Sequence, residues 1–178
     1  MSDYDNFFDG VGGGGAPGFK FNGVGSGVKG TVVDQYQTVV TDPSGNKKTY
    51  SDGQEIPQLN VTLQTELRNW DNCSKVPVDE TGKPKPASED DGQRRIFVKY
   101  DMRRAVAVAL RAAKAPGGLK NGATLAVKQT GAKPTGKGND LPLYEARYEA
   151  PAAGDEFFAT AKTAEPAPFT GSGEQPPF

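Results

Sequence analysis

The chain reads as an all-β domain carrying one helix, in the order strand, strand, strand, helix, strand, strand. Three observations predict it. Residues 58–67 alternate strictly: Leu59, Val61, Leu63, Thr65 and Leu67 share one face, and Gln58, Asn60, Thr62, Gln64 and Glu66 the other. That is the period of a strand with one buried and one wet face. Residues 102–115 change period, placing Met102, Val106, Ala109, Leu110 and Ala113 along one side of a helix. Glycine and proline, 23 and 14 of 178 residues, punctuate the rest, so loops and tails are long.

Taken in order, residues 1–18 hold Gly12-Gly13-Gly14-Gly15 and Pro17 and predict a flexible arm. Gly10, Gly12 and Gly15 match a dinucleotide-binding spacing, but no strand precedes them and no helix follows. The first strand covers residues 27–40, with Val28, Val32, Val33, Tyr36, Val39 and Val40, and Gly30 marks a bulge or bend. Tyr36 falls in phase with Val28 and Val32 and is expected in the core or at its rim. Residues 41–55 form a polar loop with turns at Asp42-Pro43-Ser44-Gly45 and Asp52-Gly53. The second strand is residues 58–67. Residues 68–93 are a long loop with Pro77, Pro84, Pro86 and the acidic run Glu89-Asp90-Asp91. In the third strand, residues 94–100, Ile96, Val98 and Tyr100 alternate with Arg95, Phe97 and Lys99. Asp101 reads as the helix N-cap, and Pro116-Gly117-Gly118 as its stop. The fourth strand is residues 124–130, followed by a Gly/Lys-rich loop over 131–142. In the fifth, residues 143–149, Tyr144, Ala146 and Tyr148 alternate with Glu145, Arg147 and Glu149. Residues 150–178 have no periodicity and predict a disordered acidic tail. The expected division is therefore an arm (1–18), a folded domain (19–149) and a tail (150–178).

Composition narrows the function. There is no histidine, which removes the commonest general base and metal ligand. Cys73 is the single cysteine, so neither a disulfide framework nor a multi-cysteine metal site can form. A non-enzymatic protein without metal or cofactor is expected. No apolar run has the length of a signal peptide or a membrane span, which predicts a soluble cytoplasmic protein with no membrane partner. The net charge of −1 conceals a division. Residues 1–18 carry Asp3, Asp5 and Asp9 and no base, and residues 150–178 carry Lys162 against Asp155, Glu156, Glu165 and Glu174. Residues 19–149 carry 20 Lys and Arg against 15 Asp and Glu. A basic middle between acidic ends points to a polyanion partner with which the tails compete.

Five strands with a helix between the third and fourth is the layout of the OB-fold, a five-stranded Greek-key barrel that binds oligonucleotides on its second and third strands and flanking loops. A mixed α+β sheet of the same element order is the alternative. The tail holds two similar pieces, Glu165-Pro166-Ala167-Pro168-Phe169 and Glu174-Gln175-Pro176-Pro177-Phe178. A ring beside a carboxylate suits a partner that buries one and clamps the other.

The ordered set of Phe7-Phe8 before the Gly-rich arm, Asp52-Gly53, Arg94-Arg95, Met102-Arg103-Arg104-Ala105 and Tyr144-Glu145-Ala146-Arg147-Tyr148 resembles the OB-fold single-stranded DNA-binding proteins of phages that infect actinobacteria. The resemblance runs over roughly residues 7–149. Pro176-Pro177-Phe178 is similar to the Pro-Phe tip of bacterial single-stranded DNA-binding proteins, which docks replication and repair enzymes. Here only Glu174 is acidic nearby, where the bacterial tip has several acids, so a phage recombinase, helicase or polymerase is an equal candidate. The resemblance implies a sequence-nonspecific protein that coats single-stranded DNA during phage replication, recombination or repair, in the host cytoplasm.

Such binding combines aromatic faces for bases with cations for phosphates. Phe97 is the first stacking candidate, because it points opposite to Ile96 and Val98 beside Arg95 and Lys99; burial under the long loop is its alternative. Trp70 is the second, with a loop plug as the alternative, and Tyr50 the third, with an idle wet side chain as the alternative. Phe19 and Phe21 are expected to tether the arm. Phosphate candidates are Lys29, Arg95, Lys99 and Arg147 on polar strand faces and Lys133 and Lys137 in the loop between strands four and five. Six such contacts imply a slope of log affinity against log salt of about −4. Two other functions fit the same residues: an OB-fold assembly scaffold acting through its tail, and an RNA-binding OB protein. Pairing of edge strands would make a homo-oligomer.

Overall fold

A computed structural model describes residues 15–136 and 140–151. They form a mostly β fold with one helix: β1 (Gly27–Val39), β2 (Pro57–Gln64), β3 (Gln93–Val98), α1 (Tyr100–Ala112), β4 (Thr124–Lys133) and β5 (Leu141–Glu149). The strands make one open antiparallel sheet in the order β3-β2-β1-β4-β5. Among the described residues no ladder joins β3 to β5, so strand pairing does not close the expected barrel.

The long first strand serves two partners. Its first half pairs with β4, from Gly27 opposite Lys128 to Thr31 opposite Thr124. From Thr31 onward it pairs with β2, ending at Val39 opposite Pro57. At this exchange β1 runs so close to β2 that a Cβ on Gly30 would collide with the Gln64 carbonyl. Backbone cannot swing aside as a side chain can. Gly30→Ala should therefore lower stability by about 1–3 kcal/mol in urea denaturation, the usual cost of overpacking.

The bulge lies three residues beyond Gly30. Val32 faces Leu63 and Asp34 faces Thr62, which leaves Val33 without a partner. One extra residue reverses the phase of a strand. Val28 and Val32 are buried before the bulge, whereas Tyr36 is exposed after it. Gln35 takes the inward phase, where its Nε2 donates to the Leu119 carbonyl at 2.7 Å. Tyr36 is thus not the core residue expected from its phase with Val28 and Val32.

The strand β2 is second in the sheet, flanked on both sides. Asn60 and Thr62, expected on a wet face, are buried. Asn60 lies between Tyr36 and Phe97, and Thr62 between Asp34 and Arg95, so neighbouring side chains cover them. On the opposite face Val28, Val32, Val61, Leu63, Ile96, Val98, Leu125 and Val127 meet Met102, Val106 and Ala109 of α1 in the core.

The helix α1 packs on β5 and reaches β3. It starts one residue before Asp101, with Lys99 at the N-cap and no side-chain cap bond. Asp101 is engaged elsewhere. Its carboxylate accepts from the Tyr144 backbone N–H and from Arg104 Nε, both at 2.8 Å, which ties the helix to β5. The stop at Pro116-Gly117-Gly118 falls where expected, just beyond Ala112.

The outer edge of β3 is covered by the chain that precedes β1. The Arg95 N–H donates to the Pro17 carbonyl at 2.8 Å, and the Phe19 N–H donates to the Arg95 carbonyl at 2.7 Å. On its other side this segment meets the β2–β3 loop: the Ser74 N–H donates to Gly18 and the Lys20 N–H to Asn72, both at 2.7 Å. Phe19 is buried, and Phe21 packs edge-on against it at 4.8 Å and against Tyr144 at 5.2 Å. These two rings do tether the N-terminal segment, and they span from β3 to β5. At Arg95 the edge of β3 therefore already has its backbone partners.

Candidate nucleic-acid interface

The outer face of β1, β2 and β3 collects aromatic and cationic side chains in register. Tyr36, Asn60 and Phe97 are directly opposite one another on the three strands. The next row along is Asp34, Thr62 and Arg95. With adjacent strands ~4.8 Å apart, Tyr36 and Phe97 start ~10 Å from each other. Both rings are open to solvent, 44% for Tyr36 and 40% for Phe97. Asn60 lies buried between them. Phe97 takes this position because Ile96 and Val98, at 1% exposure, hold the opposite face.

The cations sit around these rings. The Arg95 guanidinium lies over Tyr36, 5.9 Å from the ring centroid. Its Nε is buried and has no hydrogen-bond partner among the described residues. Lys99 follows Phe97 on the same face, half-buried, with Nζ 5.9 Å from the Tyr100 ring. Burial pushes the Lys99 ammonium below its ordinary range, and the neighbouring ammonium of Lys48 pushes it the same way. Lys48 comes from the loop between β1 and β2. That loop is held by two hydrogen-bonded turns, at Asp42–Asn46 and Tyr50–Gln54, above the buried pair Val40 and Ile56. Among the described residues no ion pair involves Lys48, Arg95 or Lys99. Two crowded ammonium groups and an under-used guanidinium gain most from an anion that replaces lost water.

The face rests on a buried ion pair beneath the β2–β3 loop. Arg94 points inward, fully buried, and grips Asp90 with Nη1 at 2.8 Å and Nη2 at 2.7 Å. Asp90 also accepts from the Trp70 N–H at 2.7 Å and the Gly92 N–H at 2.9 Å. Arg94 in turn donates to the Asp71 and Gln93 carbonyls. The acidic run that read as loop thus supplies the clamp that fixes β3.

The remaining expected site residues lie elsewhere. Trp70 is half-buried with a left-handed backbone, φ 58°, and its indole N–H is shared between the Lys85 and Pro86 carbonyls at 3.1 and 3.2 Å. It holds the long loop together. Tyr50 is exposed beside the Lys47–Glu55 ion pair of 2.8 Å. Lys29 and Arg147 occupy a separate row across Ala126 and line a shallow depression with Thr124 and Glu149. Lys133 is exposed on the β4–β5 hairpin, beyond the last β1–β4 pair at Lys128. Lys137, Pro176, Pro177 and Phe178 lie outside the described residues. The structure therefore brings Phe97, Arg95 and Lys99 together and adds Tyr36, Asn60 and Lys48. Of these three, Tyr36 had a sequence trace: Asp34 shares the phase of Val28 and Val32, and an acid in a core phase betrays a slipped register.

No protein-family model, curated protein or solved structure matches this chain.

Proposed function

We propose that this chain is a sequence-nonspecific single-stranded DNA-binding protein that uses the outer face of β1, β2 and β3. One observation carries the reading: two exposed rings, Tyr36 and Phe97, flank a buried amide, with cations beside them that no described acid pairs. Every base has a π face, so stacking on such rings is sequence-tolerant, and Arg95, Lys99 and Lys48 suit the phosphates between bases. The strand order supports an OB-type barrel, since β3-β2-β1-β4-β5 is that barrel's order unrolled between β3 and β5. The resemblance to phage single-stranded DNA-binding proteins points the same way. On this reading the protein coats DNA during phage replication, recombination or repair in the host cytoplasm. The segment that carries Pro176-Pro177-Phe178 recruits the partner enzymes.

Fluorescence anisotropy with labelled oligo-dT, oligo-U and a matched duplex, at about 50 mM and about 300 mM salt, tests the reading. Salt-sensitive binding to oligo-dT and not to duplex is expected. Tighter binding to oligo-U would make the protein an RNA binder, and no binding at the lower salt would leave an assembly scaffold. Three cations on the face predict a log–log salt slope of about −2, at ~0.7 per phosphate. A slope near −4 would instead bring Lys29, Arg147 and Lys133 into the DNA path.

A further inference from the structure

The chain N-terminal to β1 reaches the candidate interface before it reaches the core. At Gly15 its backbone lies so close to Arg95 that a Cβ would stand 2.7 Å from Nη2 and 3.5 Å from Cζ. At Gly18 a Cβ would stand 3.2 Å from Cε2 of Phe97. Glycine at both positions lets the backbone pass against the two residues that define the face. Upstream of this crossing, residues 1–14 contain Tyr4, Phe7 and Phe8 set among Asp3, Asp5 and Asp9, with no Lys or Arg. Rings spaced by anions are the chemistry of single-stranded nucleic acid. The Tyr36–Phe97 face offers exposed rings and cations that no acid pairs among the described residues.

We propose that residues 3–9 of the same chain occupy the Tyr36–Asn60–Phe97 face in the DNA-free protein, as a tethered mimic of single-stranded DNA. The proposal rests on the reading of that face as a DNA site. Phe8 is seven residues from Gly15, a reach of up to about 25 Å when extended. The Tyr36 ring lies 5.9 Å from the Arg95 Cζ that Gly15 abuts, so the tether is ample. Phe7 and Phe8 stack on the exposed rings while Asp5 and Asp9 meet Arg95 and Lys99. DNA must then displace the segment. Residues 155–158, Asp-Glu-Phe-Phe, have similar chemistry, but that part of the chain departs from Pro151, which packs against Gly122 ahead of β4 rather than against Arg95.

Two full-length variants test this, Phe7→Ala/Phe8→Ala and Asp3→Asn/Asp5→Asn/Asp9→Asn. Without DNA, at low salt, both should shift the backbone amide signals of Asn60, Arg95, Phe97 and Lys99 and leave the β4–β5 hairpin unmoved. Those shifts should not change on dilution. Unmoved face signals overturn the proposal. So does a response of the same signals to Phe157→Ala/Phe158→Ala instead, or a dependence on protein concentration, which would make the occupant a second copy. Oligo-dT affinity should rise about tenfold in both variants if the segment is docked nine-tenths of the time. If wild-type protein binds oligo-dT and neither variant binds it more tightly, displacement is overturned. If the face signals shift and no form binds oligo-dT, self-docking stands and the DNA reading fails.

Discussion

Tyr36→Ala combined with Phe97→Ala is expected to weaken oligo-dT binding by about 2–6 kcal/mol, since each stacked base is worth ~1–3 kcal/mol. At the lower bound this is about a 30-fold loss. The fold should survive. Both rings are about half exposed, and exposed substitutions usually change stability by no more than about 0.5 kcal/mol. Titration of labelled oligo-dT alongside a urea melt separates the two effects. Each single variant should lose about half of the energy, because the rings sit two strands apart and serve different bases. Tyr50→Ala, on the outlying loop, should cost far less. If Tyr50→Ala cost as much as Phe97→Ala, the interface would lie across the β1–β2 loop rather than on the sheet.

Asp90→Ala should be the most damaging single substitution for stability, at about 3–5 kcal/mol by urea denaturation. It strands the Arg94 guanidinium, which has no exposure of its own. It also removes the acceptor of the Trp70 and Gly92 N–H groups. Total stabilities are about 5–15 kcal/mol, so the loss is a large share. Replacing both partners with apolar residues should not restore stability here. The pair satisfies backbone groups on both sides, which are buried at Gly92 and part-buried at Trp70, Asp71 and Gln93, and those would lose these partners.

The same pair predicts an acid dependence. Hydrogen bonds from Arg94 hold the Asp90 carboxyl far below the usual carboxylate range. The unfolded chain protonates it near 3.9, so the folded state binds this proton less readily. The stabilisation is therefore fully present above about pH 4 and is lost as pH falls toward the depressed folded value. Wild-type stability should drop below about pH 4, and Asp90→Asn should remove this contribution to the slope. An unchanged slope in Asp90→Asn would place the acid sensitivity on other carboxylates.

Much of the fold was legible. The alternation over 58–67, the helical spacing over 102–115 and the Pro116-Gly117-Gly118 stop placed five strands and a helix in the observed order. They did so because one buried face imposes a period of two on a strand and 3.6 on a helix. Phe97 was legible for the same reason: Ile96 and Val98 claim the core, which leaves the intervening side chain outside. Strand ends moved by a few residues, since pairing with a neighbour, not composition, decides where a ladder stops.

The rest depended on contacts distant in sequence. Whether the five strands close on themselves is not encoded in their order; the structure fills the β3–β5 seam with the Pro17–Phe19 crossing, Phe21 and α1. The extra residue at Val33 turned Tyr36 outward, and periodicity counted along one strand cannot detect a residue that its neighbour leaves unpaired. Asp101 and Trp70 carry the local signatures of a cap and an exposed loop ring. Tertiary partners took their hydrogen-bonding groups instead, Tyr144 in one case and the Asp90 and Lys85 region in the other. Apolar periodicity along each segment was enough to set the element order and the outward face of β3. Which outward residues share a surface came from strand pairing, because register and bulges are set between strands rather than within them.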